Sequence, residues 1–466
     1  MSGTIETGLF RGFLAAVLLL PLALGGQRPV AWNLFAVVVA ALAFALALRL
    51  ALGVQRAPVS ARQLAPVALP FALALLWAAF QATGGVLTHV SHPLWAEAAA
   101  ALGAGTSDAI SVDPERTIQA LLRAASFALV FWLAVQFGRD RERARHAVVA
   151  FVAASIAYAA YGLVMHFSGR EAILWFAKEA YLGDLTSTFV NRNAYGAYAG
   201  LGLLASALLL LDSVRPVLGA RRVGARDVAE TLLLRGTPYL AAMALTGTAL
   251  LLSHSRGAFL ATALAVLALL LVVAATRFVK PVQAGAFALL LCLVGGGVLG
   301  MSGDGTLWRL AETAERVGDA PERMADDARA PLNALTLDAI AAAPLVGHGY
   351  GAFLPAFRIY RDTELAAPLV WEFAHNSYLE AAMELGLPSA GLFLLAPLLI
   401  LLRCIRGALR RRRDQVYSIL AVAAAVLAGA HGLVDFSPQI PAVAATLALL
   451  LGLGYAQSWS SRDDDA

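Results

Sequence analysis

Arg192, Arg256, Arg329 and His375 stand where an apolar chain has least use for charge. Arg192 lies in Thr188-Phe189-Val190-Asn191-Arg192-Asn193, at the start of one apolar run. Arg256 lies in Ser253-His254-Ser255-Arg256-Gly257, a tight turn between two more. Arg329 opens an amphipathic stretch, and His375 begins His375-Asn376-Ser377-Tyr378-Leu379-Glu380 at the head of a further run. Ionisable groups at membrane depth are costly and tend to be functional. Several guanidiniums at one membrane face, with few competing acids, suit a diphosphate: the planar fork of arginine meets phosphate oxygens bidentately and keeps its charge. A histidine, whose ordinary pKa is about 6.5, can take a proton from an attacking hydroxyl. Cations at headgroup depth with a base beside them are what glycosyl transfer from a lipid diphosphate requires.

Each group also has a plainer reading. An arginine at a span end can simply snorkel to headgroup phosphates, Arg329 can belong to a solvated loop, and His375 can be a surface histidine. Ser377 with Glu380 fits a capping box, which makes Glu380 a helix cap rather than a catalytic acid. His431 and Asp435 border the last outer turn and read as structural. Gly347, Gly349 and Gly351 resemble a nucleotide loop only superficially, because no strand precedes them. Asp319, Asp326 and Asp327 come nearest to paired carboxylates, but they lie among Arg316, Arg323 and Arg329. No spacing suits a hard cation, so neither a metal nor another cofactor is expected. Cys292 and Cys404 are far apart and imply no disulfide framework.

The elements that must position these residues are membrane spans. Hydrophobic residues make up 60% of the 466 positions and charged residues 14%, and the mean hydropathy is +0.72. A water-soluble surface needs charge at roughly 25% of positions. A span needs about 20 apolar residues, and twelve candidates follow: 9–25, 30–53, 65–83, 117–138, 146–168, 189–213, 237–254, 256–276, 281–302, 376–402, 415–433 and 439–457. The first run lacks a convincing cleavage site and reads as a retained span. The fold class is therefore all-α, a polytopic membrane protein of about twelve transmembrane helices. Its parts are helices one to nine over 1–302, a large, partly helical outer loop over 303–375, helices ten to twelve over 376–459, and a tail over 460–466. Arginines crowd the loops at 139–145, 221–226 and 410–413, which by the charge rule are cytoplasmic. Both termini then lie in the cytoplasm, and the four candidate groups face the periplasm. The basic balance belongs to these loops rather than to a nucleic-acid partner.

Four segments in this order resemble the O-antigen ligase and polymerase superfamily of bacterial inner membranes. They are Thr188-Phe189-Val190-Asn191-Arg192-Asn193-Ala194-Tyr195, Ser255-Arg256-Gly257, Pro344-Leu345-Val346-Gly347-His348-Gly349-Tyr350-Gly351 and His375-Asn376-Ser377-Tyr378-Leu379-Glu380. The resemblance implies a metal-independent, inverting glycosyltransferase that moves a glycan from undecaprenyl diphosphate to an acceptor sugar. By motif, Arg256 matches the diphosphate-binding arginine, Arg192 supplies a second, and Arg329 matches the arginine that begins the central helix of the loop. His375 matches the base that activates the acceptor hydroxyl. Asn191, Asn193, Ser255, Asn376, Gly349 and Tyr350 are the supporting positions. The family's asparagine-flanked motif often carries proline where Arg192 stands here. Ligation to lipid A-core is favoured over joining lipid-linked repeats, because the pair Arg192 and Arg256 looks ligase-like. A lipid-linked glycan flippase would also have twelve spans, but it would carry charge at mid-depth and no large outer cap. A metal-dependent membrane glycosyltransferase would carry acids in a long first outer loop, which here is only Gly25 to Pro29.

Overall fold

The computed structural model describes residues 2–85, 88–218, 225–276, 278–279, 328–363, 370–411 and 413–460, with isolated positions between 283 and 291 and at 365. Most of the expected span 281–302, the polar half of the expected outer loop with Asp319, Asp326 and Asp327, Cys292 and nearly all of the tail lie outside the described residues. In chain order the helices are α1 (Ser2–Leu19), α2 (Pro29–Ala51), α3 (Ala61–Gln81), α4 (Leu94–Leu102), α5 (Pro114–Gly138) and α6 (Arg141–Phe167). After a two-residue hairpin, β1 (Ala172–Ile173) with β2 (Phe176–Ala177), come α7 (Arg192–Leu218), α8 (Ala225–Thr231), α9 (Thr237–Leu252) and α10 (Arg256–Ala275). The remainder is α11 (Arg329–Ala342), α12 (Phe353–Tyr360), α13 (Ser377–Leu385), α14 (Leu387–Arg410), α15 (Gln415–Gly432) and α16 (Pro441–Ala456).

Among the described residues nine helices are long and apolar enough to cross a membrane: α1, α2, α3, α5, α6, α7, α10, α14 and α15. The expected seventh and twelfth spans are α9 and α16, of 16 residues each. Side-chain caps set where several begin. Asp113 accepts from the Arg116 amide ahead of Pro114, Asp140 accepts from the Arg143 amide, and Ser60 with Gln63 forms a capping box. These bonds satisfy amides that the first helical turn leaves without partners. Helix α7 runs through the middle, with nearly all of its length buried. At Gly200 a Cβ would sit 2.3 Å from Thr262 Oγ1 and 2.9 Å from Leu427, so glycine is what lets α10 and α15 close on α7.

The expected tenth span, 376–402, is instead two helices. Gly386 takes φ 75°, ψ 155°, a conformation that only glycine adopts readily, and it separates α13 from α14. The cap of α13 is also corrected. Asn376, not Ser377, accepts from the amides of Tyr378 and Leu379, both at 3.1 Å. Glu380 is no capping partner either; its buried carboxyl accepts from the Ala374 amide at 2.7 Å, directly before His375.

Helix α13 packs with the outer loop in a second hydrophobic core of Leu332, Phe353, Phe357, Trp371 and Met383, joined by Val112 from the chain before α5. Buried Gln81 fastens this cap to α3. Its amide donates to the carbonyls of Val346 and Glu384, and its oxygen accepts from the Tyr350 amide at 3.1 Å. Gly349 has φ 109°, and a Cβ there would lie 2.8 Å from Ser111 Cα. Backbone strain of this kind costs about 1–3 kcal/mol. Gly349→Ala should therefore lower the thermal unfolding midpoint of the detergent-purified protein, while Gly391→Ala, where a Cβ meets open space, serves as control. Equal midpoints would show that the cap does not depend on this contact.

Candidate active site

Arg192, Arg256 and Arg329 each occupy the first residue of a helix, and His375 precedes the cap of a fourth. Three of these helix starts meet at one turn, residues 431–437, and the fourth lies within electrostatic range of it. From α7, Asn193 Nδ2 donates to Asp435 Oδ2 at 2.7 Å. From α13, Ser377 Oγ donates to the Asp435 carbonyl at 3.1 Å. From α10, Gly257 lies against His431 and Val434. From α11, Arg329 is close enough to act electrostatically on His431. A helix N-terminus carries about half a positive charge; at α7, α10 and α13 Asn191, Ser255 and Asn376 already cap first-turn amides, so these starts add a positive field beside the arginines. Helix α11 starts at Ala328 with no side-chain cap.

His375 is a non-glycine residue at φ 53°. Such backbone strain is commonly held at functional sites. Its side chain is 20% exposed, and Nδ1 lies 3.8 Å from Asp435 Oδ2. Rings of Phe436 and Trp371 stand edge-on to the imidazole, with centroids 4.9 and 6.3 Å away. Asp435 is buried, and Ser437 donates to its other oxygen through both amide and hydroxyl. Burial alone would raise this carboxyl; the His375 and His431 partners and the Ser437 hydrogen bond outweigh it and hold the acid below the usual carboxylate range. An ionised aspartate beside a histidine orients the ring and stabilises the imidazolium that forms when it takes a proton.

A second acid sits at the start of α7. Asp184 accepts from Arg192 at 2.6 Å through one oxygen and lies 2.6 Å from His254 Nδ1 through the other, and its carbonyl accepts from Lys178 at 2.7 Å. The Arg192 guanidinium also covers the Tyr181 ring, and Asn191 bonds the Tyr181 hydroxyl at 2.9 Å. The expectation of few competing acids is therefore corrected at Arg192, whose charge is matched by Asp184. Arg256 is exposed beyond the Ser255 cap, which accepts from the Ala258 amide at 3.3 Å.

Residues 241–396 match the family model described as O-antigen ligase. That third of the chain is similar to the O-antigen ligase family, which supports a place in its superfamily. No curated protein matches the chain. The O-antigen ligase match holds Ser255, Arg256, Arg329, Gly349, Tyr350, His375 and Asn376, while Asn191, Arg192, Asn193 and Asp435 fall outside it.

Asn193 and His375 reach Asp435 in the 431–437 turn, Arg256 and Asn376 adjoin Gly257 and Ser377, which touch it, and Arg329 acts electrostatically on His431. Arg192 and Asn191 lie beside the turn, at the Asp184 network. Gly349 and Tyr350 lie elsewhere in the matched region, at the seam with α3 and α5, where the Tyr350 ring meets Phe393. Sequence reasoning passed over Asp184 and His254 and took Asp435 as merely structural. The available signals were an acid eight residues before Arg192, and an acid in the short turn that follows His431. The Asp435 carboxyl also yields a pH test. An unfolded aspartate titrates at about 3.9 and the folded one lower, so its stabilisation is complete above that pH and is lost as pH falls through the folded value. Asp435→Asn should lower the unfolding midpoint at pH 7, and the gap to wild type should close only below about pH 4. A gap that persists unchanged to pH 3 would show that the carboxylate charge is not what stabilises the turn.

Proposed function

We propose that the protein transfers a glycan from undecaprenyl diphosphate to an acceptor sugar hydroxyl on the periplasmic side of the bacterial inner membrane, with lipid A-core as the acceptor. The observation that carries this reading is the gathering of helix starts bearing Arg192, Arg256 and Arg329 around the turn that holds the His375–Asp435 pair, with the Arg192 side chain beside it in the Asp184 network. The diphosphate lies against the starts of α7, α10 and α11. Arg256 and Arg329 bind its oxygens, and Arg192 contributes from within its pair with Asp184. The prenyl tail runs among the spans and the glycan extends toward the cap.

In the reaction the acceptor hydroxyl gives its proton to His375, and its oxygen attacks the anomeric carbon as the bond to the diphosphate oxygen breaks. The bond forms on the face opposite the leaving group, so the configuration inverts. Undecaprenyl diphosphate departs with the bonding electrons, and its charge is met by arginines and helix dipoles already in place. Asp435 steadies the imidazolium until its proton is lost to solvent.

The test uses purified protein in lipid with a labelled lipid-linked glycan. His375→Ala should lose about 10²–10⁴-fold in rate while eluting as wild type does. Arg256→Lys should be nearly as damaging as Arg256→Ala, because an ammonium is a point charge and cannot reproduce the bidentate fork. Near wild-type transfer by His375→Ala would remove this histidine from the chemistry, and full activity of the lysine variant would return Arg256 to snorkelling. Supplying lipid A-core in one arm and a second lipid-linked repeat in another separates ligation from polymerisation.

A further inference from the structure

A cavity of about 1240 Å³ opens at the membrane face opposite the His375 cluster. Helix α7 runs from Arg192 at the cluster to Arg215 at the cavity, and α10 runs from Arg256 to Ala274 at its wall. At 1.5 Å per residue each path covers about 30 Å, the thickness of the hydrocarbon layer. Among the described residues, Arg141, Arg145, Arg215 and Arg235 line the cavity against one lining carboxylate, Asp212. Asp212 lies 3.5 Å from Arg145, and neighbouring Asp414 holds Arg141 at 2.7 Å. The Arg215 guanidinium lies 4.4 Å over the Phe278 ring, which braces it against an apolar wall.

The surroundings decide what kind of anion fits. Arg235 rides on a π-helical turn, Leu232–Gly236, a rare geometry that is frequent at functional sites. The same turn leaves Leu233 and Leu234 each 73% exposed. Along α10, Leu260, Leu264, Leu267 and Leu271 form an exposed stripe that leads to the cavity wall. Charge asymmetry alone places arginines near a membrane surface, but it does not build a chamber with cations inside and an apolar stripe at its mouth. An occupant that satisfies both halves carries phosphate at one end and acyl chains at the other.

We propose that this cavity binds the phosphate headgroup of an anionic phospholipid in the leaflet opposite the active site, with its chains along the leucine stripe of α10. The proposal does not depend on the transfer reaction, and its test reads no activity. The full chain is placed in phosphatidylcholine nanodiscs doped with cardiolipin or phosphatidylglycerol, and retained lipid is counted by native mass spectrometry after release. Wild type should hold the anionic lipids in preference to phosphatidylcholine. Arg215→Gln with Arg235→Gln should cut that retention about tenfold or more, since each arginine near an anionic surface contributes appreciably. Arg215→Lys with Arg235→Lys, which keeps the charge, should retain an intermediate amount and covers the case in which the glutamine pair does not fold. Equal retention by wild type and either double variant would overturn the proposal. So would inorganic pyrophosphate that binds through the same arginines and displaces the lipid, because the site would then serve a soluble anion.

Discussion

One buried carboxylate ties together the helix starts at the His375 end of this protein. Asp435 takes hydrogen bonds from Asn193 on α7 and from Ser437, and it stands beside His375, while its own carbonyl anchors Ser377 on α13. A charge buried this deeply is tolerated only when its lone pairs are met. That requirement fixes the spacing of helices that lie far apart in the chain. The turn around it then brings Arg256 and Arg329 to the same corner. The result is a site in which positive charge is built largely from helix starts. Such charge is oriented by the fold and needs little rearrangement when an anion arrives.

The cap contributes in a different way. Its hydrophobic core, the Gln81 hydrogen bonds and the close fit of Gly349 on Ser111 seat α13 rigidly. Buried Glu380 reaches back to the Ala374 amide and so holds the strained His375 backbone from behind. His375 and the arginines are thus set by separate parts of the fold, His375 by the cap and the arginines by helix starts. Both are referenced to the 431–437 turn.

Much of this was legible in the chain. Apolar runs about 20 residues long are a direct consequence of the bilayer's thickness, so the spans at α1 to α3, α5 to α7, α10 and α15 follow from composition. Arg256 and His375 were visible because charge interrupts those runs. The break at Gly386 was hidden because Leu385, Leu387 and Pro388 keep the sequence apolar across it, and only a backbone angle reveals it. Asp435 was hidden for another reason: its partner Asn193 is 242 positions away, and no local pattern reports such a pairing. The Asp184–His254 contact spans 70 positions and depends on His254 taking φ 50°.

The central claim is that arginines and helix starts neutralise the departing diphosphate, the work a divalent cation would otherwise perform. Transfer by the purified protein from undecaprenyl-diphosphate glycan to acceptor, measured in excess EDTA, tests it most directly. The account predicts undiminished transfer, with release of undecaprenyl diphosphate and an inverted anomeric centre. Activity that vanishes with the chelator and returns with magnesium or manganese would contradict it.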